Sequence, residues 1–600
     1  MKGSDLHKQN RSRKILLNNQ PNFLLTLIVI LFSIILARLS WLQLLRGSNY
    51  RRLADDNRVR LVASPPIRGR ILDSKGNILA DNKLVYSLIV QPHLISEEQW
   101  LKNAKLLSDL FYLDYQKLNS RFQEALKNDR LSFTLVSNMS TDQIIQFQEK
   151  ESLFKGLQVH LELVRFYPFQ SLASHVLGYT QFITMNEYKQ LSKLGYKIQD
   201  RIGRIGLEAA FEDELRGKWG GQMLEVDAAG RIQRNLGYKA PEAGKDLVLT
   251  IDLHLQQTAE RVLANKRAGA IVALEPRTGA IKALASKPNF DPNFFTKSIT
   301  TQSEYESIFL APDLPLLSRA LNAYDPGSTW KVVTGMAGME SGKFPLDTRL
   351  ETARCIRYGG HCFPEHNPQG WGTIGYEDAF RVSSNTFFYQ VGVGSGIKEL
   401  FKAATNLGFY KRTGIELANE ESKGFVGNKE WAEKGRGWGK PGTTPWIPED
   451  IASASIGQMV VQVTPLQLAR AYAVFANGGY LITPHLVDSN IDWLSSKYRR
   501  KVDIKPETLQ TIRQGLLKVA QSGTGRSVNL DLPTLPPVAG KTGTAEDSTG
   551  GSDHAWFACF APYESSEIVV VAFAQNTPGG GSVHALPMAR ELLKAWHQSQ

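Results

Sequence analysis

Cysteine is nearly missing from this chain. Its 600 residues hold three, Cys355, Cys362 and Cys559, which excludes a disulfide-rich scaffold. Long runs of one charge are missing as well. Lysine and arginine outnumber aspartate and glutamate by 70 to 58, a formal charge of +12, yet the basic residues are spread along the chain and no nucleic-acid motif accompanies them. That balance supports only a weak attraction to a negatively charged membrane surface. Beyond the first fifty residues no apolar run is long enough to span a bilayer. What is present, 42% hydrophobic and 21% charged residues, describes a globular chain, and its length exceeds what one core usually organises, so two or more domains are expected.

The one long apolar run lies near the N-terminus. Ile15 to Ala37 carries no charge, and FLLTLIVILFSIIL, Phe23 to Leu36, is almost wholly apolar, close to the ~20 residues a membrane helix needs. Arg38 can snorkel to the headgroups, and Trp41 suits the interface. No small-residue cleavage site follows, so the expectation is an uncleaved helix over 21–45 rather than a removed signal peptide. Lys2, Lys8, Arg11, Arg13 and Lys14 precede it against Asp5 alone, which places a tail, 1–20, in the cytoplasm.

Beyond the anchor two textures follow. Residues 47–244 mix β-like runs such as LVYSLIVQP (Leu84 to Pro92) with a polar helical stretch from about Glu97 to Asn138, and hold no compact set of nucleophile, base and electrophile. From Lys245 the pattern reads strand, helix, then a hairpin around Pro276 to Gly279. Val538–Glu546, His554–Ala561 and Glu567–Gln575 read as successive antiparallel strands, and Pro587–His597 as a closing helix with proline in its first turn. The predicted class is α+β, with a boundary near Pro241 to Lys245.

DPGSTWKVVTG, Asp325 to Gly335, sets a serine and a lysine three residues apart after an Asp-Pro-Gly turn. A helix starting near Gly327 brings Ser328 and Lys331 onto one face. A serine hydroxyl is a poor nucleophile at neutral pH, and an adjacent amine held neutral can serve as its base. An ordinary helix start with an exposed lysine has the same spelling. Further on, RVSSNTFFYQ supplies Ser383-Ser384-Asn385, and KTGTAE supplies Lys541, Thr542, Gly543 and Thr544 in a strand context. S-x-x-K, S-D-N and K-T-G in this order mark class A β-lactamases and penicillin-binding proteins; here the middle triplet is S-x-N.

Acyl transfer from a D-amino-acid peptide needs a nucleophile, a base, a proton donor for the leaving amine, a carboxylate anchor and oxyanion donors. Ser328 and Lys331 suit the first two roles, Ser383 the third, and Asn385 the orientation of Lys331 and of a substrate carbonyl. Lys541 and the Thr542 hydroxyl suit the carboxylate, and Gly543 leaves the strand edge open for an added peptide strand. By resemblance, the amides of Ser328 and Thr544 form the oxyanion hole. No metal or cofactor is required.

The rest of the chain resembles class B penicillin-binding proteins. RGRILDSKGNILADN (Arg68 to Asn82) is similar to their opening motif. VRFYPFQSLASHVLGYTQFI (Val164 to Ile183) and the run from Gly195 to Arg231 look like their pedestal. D-x-I-G-x-x-G-L-E, Asp200 to Glu208, is most similar to the elongation-type members. The resemblance implies an elongated pedestal (dimerisation-type) domain over 46–243 and a transpeptidase domain over 244–600, an antiparallel sheet flanked by helices. It implies a peptidoglycan D,D-transpeptidase acting on stem peptides during wall elongation, inhibited by β-lactams and partnered by a RodA-type glycan polymerase and other elongation-complex membrane proteins, with no nucleic acid. It also implies a bacterial inner-membrane location with the catalytic domain outside.

The alternatives are a division-type transpeptidase, a serine β-lactamase or β-lactam sensor, and a pedestal acting chiefly to activate a polymerase. Neither an E-x-x-x-N element suitably placed after S-x-N nor an H-E-x-x-H motif is present. QGWGTIG, Gln369 to Gly375, stands where family members often carry Gly-His-Gly. Cys355, His361, Cys362 and His366 remain open between a disulfide, a zinc site and free thiols; Cys559, in an apolar strand, is expected in the core.

Overall fold

The structure, a computed structural model, describes residues 24–46, 59–127, 132–226, 232–297, 302–417, 419–426, 446–489, 491–529, 536–546 and 552–600. The tail expected over 1–20 lies outside them. The chain divides into two compact units. The first holds the described residues up to Pro66 together with Lys218–Glu242. Its apolar helix spans Leu24–Leu44, 21 residues, and nearly all its leucines and isoleucines are exposed, as on a surface made for lipid. Arg38 lies over the Trp41 ring, 4.5 Å from its centroid, a cation–π contact at the headgroup end. An antiparallel sheet of Val59–Ser64, Gly220–Val226 and Ile232–Lys239 completes this unit.

The second unit, Ile67–Gly217 with Ala243–Gln600, carries most of the segment read as a pedestal and all of 244–600. Ile78–Val90 pairs antiparallel with Leu157–Phe166 and with Phe133–Val136. The helical reading of Glu97 to Asn138 is thereby corrected. Helices occupy Glu97–Phe111 and Tyr115–Lys127, but FTLV is a strand. Phe133 and Leu135 pack into one core with Leu88 and Val90, a tertiary gain that local helical pattern does not register. The Arg68 to Asn82 motif folds as a turn in which the Asp73 carboxylate accepts from the amides of Lys75 and Asn77 at 2.9 and 2.7 Å. A buried ion network joins it to the Asp200 to Glu208 element. The enclosed Glu208 carboxylate accepts from Arg68 Nε and Arg165 Nε, each at 2.6 Å, and from the Tyr167 hydroxyl at 3.2 Å.

Five strands form the main sheet: β1 (Ala268–Leu274), β2 (Ile281–Lys287), β3 (Ala539–Ala545), β4 (His554–Ala561) and β5 (Ile568–Gln575). Their order is β2-β1-β5-β4-β3, all antiparallel. Runs such as IVVVAFA in β5 are apolar at every position because both faces are covered. Ile271, Phe557, Val570 and Ala572 pack against Leu253–Leu263 and Ala585–Gln598. Val272, Ala558, Val571 and Phe573 face the core of α1 (Lys331–Glu340), α2 (Asn385–Ser395) and α3 (Pro465–Ala476). Helix α3 is buried nearly throughout, and a reciprocal Thr464–Gln467 capping box starts it, with proline in the first turn. Cys559 is buried in the core as expected.

Truncating Glu208 leaves the buried Arg165 guanidinium without its anion, while the part-buried Arg68 keeps only Glu212. Glu208→Ala is predicted to lower unfolding free energy by about 3–5 kcal/mol in denaturant titration; a change below about 1 kcal/mol, the range of an exposed pair, contradicts this reading of the network.

Candidate active site

Three chain segments converge at the edge of the sheet. Gly327–Trp330 is a 3-10 turn that runs directly into α1, so Ser328 and Lys331, three apart, are nearly eclipsed, closer in direction than on an α-helix. The turn is anchored from several sides. Gly327 N donates to Gly457 O at 2.9 Å, Met459 N to the Asp325 carboxylate at 3.1 Å, and Trp556 Nε1 to Asp325 O at 2.9 Å. Two glycines then let β3 lie against it. At Gly327, where φ is +54°, a Cβ would meet Thr544 O at 2.3 Å; at Gly543 a Cβ would lie 2.9 Å from both Pro326 O and Thr329 Cγ2. Strand β3 pairs only with β4, and among the described residues its other edge has no partner strand.

The S-x-N turn precedes α2. Ser383 takes a left-handed conformation, φ +56°, which costs a serine of order 1–3 kcal/mol and persists because its surroundings hold it. Lys331 Nζ donates to Ser383 O at 2.7 Å, to Asn385 Oδ1 at 2.7 Å and to Ser383 Oγ at 3.3 Å. Lys541 Nζ donates to the same Ser383 Oγ at 2.7 Å and to Thr542 O at 3.0 Å. One hydroxyl thus bridges two amines. Thr542 Oγ1 lies 2.6 Å from Thr524 Oγ1, a neighbour the motif does not include, and the Thr544 side chain is exposed. Among the described residues the Ser328 side chain has no hydrogen-bond partner.

Both amines are fully buried. Burial pushes Lys331 down to about 7, against the opposing pull of Glu365. It pushes Lys541 well below its ordinary range too, and the charge of Lys331 adds to that push. A neutral Lys331 near pH 7 is the state a general base needs.

Glu365 is the residue that sequence reasoning missed. An isolated acid between Pro364 and His366 carries no motif, and the surrounding stretch is marked only by its cysteines and histidines. Cys355 and Cys362 form a disulfide across the hairpin of Cys355–Tyr358 and His361–Pro364, and among the described residues no group of three or more His, Cys, Asp or Glu is placed to hold a metal. His366 Nδ1 instead sits 2.8 Å from Glu365 Oε1. Burial raises the affinity of Glu365 for a proton, but hydrogen bonds from His366, Ser384 and the Asn385 amide, with the charge of Lys331, hold the carboxyl well below its usual range.

Comparison with known proteins gives the family of the chain. Residues 269–594 match the penicillin binding protein transpeptidase domain, and residues 63–249 the penicillin-binding protein dimerisation domain. The peptidoglycan D,D-transpeptidase MrdA of Acinetobacter baumannii is 32% identical over 598 residues, covering 96% of this chain and 87% of that one. Among solved structures, penicillin-binding protein 2 of Helicobacter pylori in complex with MreC superposes with a TM-score of 0.77 at 26% identity, over 90% of this chain and 99% of the other. A chain from a peptidoglycan synthase complex that coordinates polymerization and crosslinking gives 0.70 at 31% identity, over 97% and 99%. The chain belongs to the penicillin-binding protein transpeptidase family. Within it, this is a class B protein of the penicillin-binding protein 2 type.

If neutral Lys331 is the base, acylation by a fluorescent penicillin rises about tenfold per pH unit below pH ~7 and levels off above it. Second-order labelling rates from pH 5 to 10 check this; a rate still climbing toward the ordinary lysine value near 10.4 contradicts it.

Proposed function

We propose that Ser328 carries the acyl group in the reaction this chain performs, the D,D-transpeptidation of peptidoglycan stem peptides during wall elongation. The observation that carries the assignment is the single cluster in which Lys331, Ser383, Asn385 and Lys541 are joined by hydrogen bonds beside the Ser328 turn. Ser328 Oγ loses its proton to neutral Lys331 and attacks the carbonyl carbon of the penultimate D-alanine. The C–N bond breaks, and Ser383, bridged to both amines, delivers a proton to the departing D-alanine amine. An acceptor amine from a second stem peptide then attacks the Ser328 ester, forms the cross-link and restores the hydroxyl.

The amides of Ser328 and Thr544 receive the developing oxyanion. The open edge of β3 takes the donor peptide as an added strand, and the hydroxyls of Thr542 and Thr544 meet its terminal carboxylate, whose negative charge favours the proton on Lys541 beneath them. A β-lactam enters as an acyl donor whose leaving group stays attached. The chain is organised as tail 1–20, membrane helix 21–45, pedestal 46–243 and transpeptidase domain 244–600. Its N-terminus lies in the cytoplasm, as the basic residues before the helix favour, and its catalytic domain faces outward. Relatives solved with MreC and within a peptidoglycan synthase complex support a place in an elongation assembly, beside a glycan polymerase of the RodA type.

Ser328→Ala is predicted to abolish covalent labelling by fluorescent penicillin with an unchanged melting temperature, and mass spectrometry of the labelled wild type to map the adduct to the peptide containing Ser328. Labelling that persists in the variant removes Ser328 as nucleophile.

A further inference from the structure

The Glu365 carboxylate is placed where one helix needs an acceptor and the active site needs a rigid turn. Helix α2 begins with Ser384 as its cap, and the amides of its first residues have no partner within the helix. Glu365 Oε1 accepts from Asn385 N at 3.0 Å, and Oε2 accepts from Thr386 N at 3.0 Å, Thr386 Oγ1 at 2.9 Å and Ser384 Oγ at 2.6 Å. His366 N donates to Oε1 at 3.0 Å from the other side. The side chain is fully enclosed. A carboxylate at the positive end of a helix, bonded by several donors, is both electrostatically favoured and rotationally fixed.

The residue arrives on a braced element. Glu365 N donates to Arg354 O at 2.8 Å, closing the hairpin at its open end, and the Cys355–Cys362 disulfide ties the two strands just inside that closure. Pro364 O, next to it, accepts from Asn385 Nδ2 at 3.4 Å. Backbone and side chain of Asn385 are therefore both held from this hairpin, while the far side of Asn385, Oδ1, holds Lys331.

We propose that Glu365 is a positioning residue for acyl transfer: delivered by a disulfide-braced hairpin, its carboxylate locks the 383–385 turn so that Ser383 and Asn385 hold the Lys331 amine beside Ser328. The inference rests on the assignment of Ser328 and Lys331 above. It touches neither substrate nor the reacting atoms, and acts through the turn. A second consequence follows from its charge. The groups facing this region are Lys331 and Lys541 among the amines, His366 beside the carboxylate, and Tyr389, which lies in the field of Glu365 and Glu546. Glu365 is the anion that favours the proton on Lys331, so removing its charge moves Lys331 further down.

The test uses the full chain in detergent, with fluorescent-penicillin acylation rates across pH and melting temperatures for wild type, Glu365→Gln, Glu365→Asp and the double variant Cys355→Ser/Cys362→Ser. Glu365→Gln is expected to lower the plateau rate roughly tenfold or more, the scale of small misplacements in an active site, and to shift the acid limb to lower pH. Glu365→Asp keeps the charge, so its acid limb stays at the wild-type position and part of the rate returns. The double serine variant slows acylation with the limb unmoved, because the carboxylate remains but its support is loosened. A Gln variant with the wild-type plateau and limb overturns the proposal, and so do Gln and Asp variants that lose rate and melting temperature equally with no shift of the limb. A wild type that never labels at Ser328 instead overturns the transpeptidase assignment on which the proposal stands.

Discussion

A lysine amine enclosed by protein must find acceptors for its hydrogens or give up its proton, and Lys331 is arranged for both. Two carbonyl oxygens, of Ser383 and of the Asn385 side chain, and one hydroxyl surround Nζ, so the buried group is satisfied in direction while desolvation keeps its proton loosely held. The rest of the site is organised around that condition. The 3-10 turn sets Ser328 above the lysine, the strained Ser383 backbone turns its carbonyl toward Nζ, and Lys541 approaches the shared hydroxyl from β3. The charge of Lys331 in turn lowers the affinity of Lys541 for a proton.

Such an arrangement demands close approach of segments far apart in the chain, and the fold supplies it by removing side chains. Gly327 and Gly543 let the turn and the edge strand meet at backbone distance. The sheet behind them is covered on both faces, with α3 running through the interior, so the turn rests on a rigid floor that packs as densely as an organic crystal. Rigidity in the floor and strain at the surface are complementary. A strained serine survives only where its neighbours over-determine its conformation, and here Lys331, Lys541 and the Glu365-braced start of α2 do so.

Much of this was legible in the residues, for physical reasons that differ by feature. The strand His554–Ala561 is legible to its ends, and its neighbours to within a residue, because strands buried on both faces are apolar throughout and polar residues punctuate them. The three motifs were legible because the chemistry restricts residue type at each place. The FTLV strand was not, since four residues gain their stability from a partner strand read elsewhere in the chain. Two cysteines seven apart fit a hairpin disulfide, a metal site or free thiols until the register of the hairpin is known. Glu365 was hidden for a related reason: its partners lie on another element, and nothing in the spelling PEH distinguishes a helix-capping carboxylate from a solvated one. Likewise the K-T-G lysine reads as an anchor for a carboxylate with no sign of its depth, and only the packing of β3 places it beneath the surface.

The account depends most directly on the protonation of one side chain. A pH titration of the 13Cε resonances in lysine-labelled protein, with Lys331 assigned by its loss in Lys331→Arg, reports that state without any reaction. The account predicts a midpoint near 7 for Lys331, set by burial against the pull of Glu365; a midpoint near 10.4, the value of an ordinary solvated lysine, would contradict it.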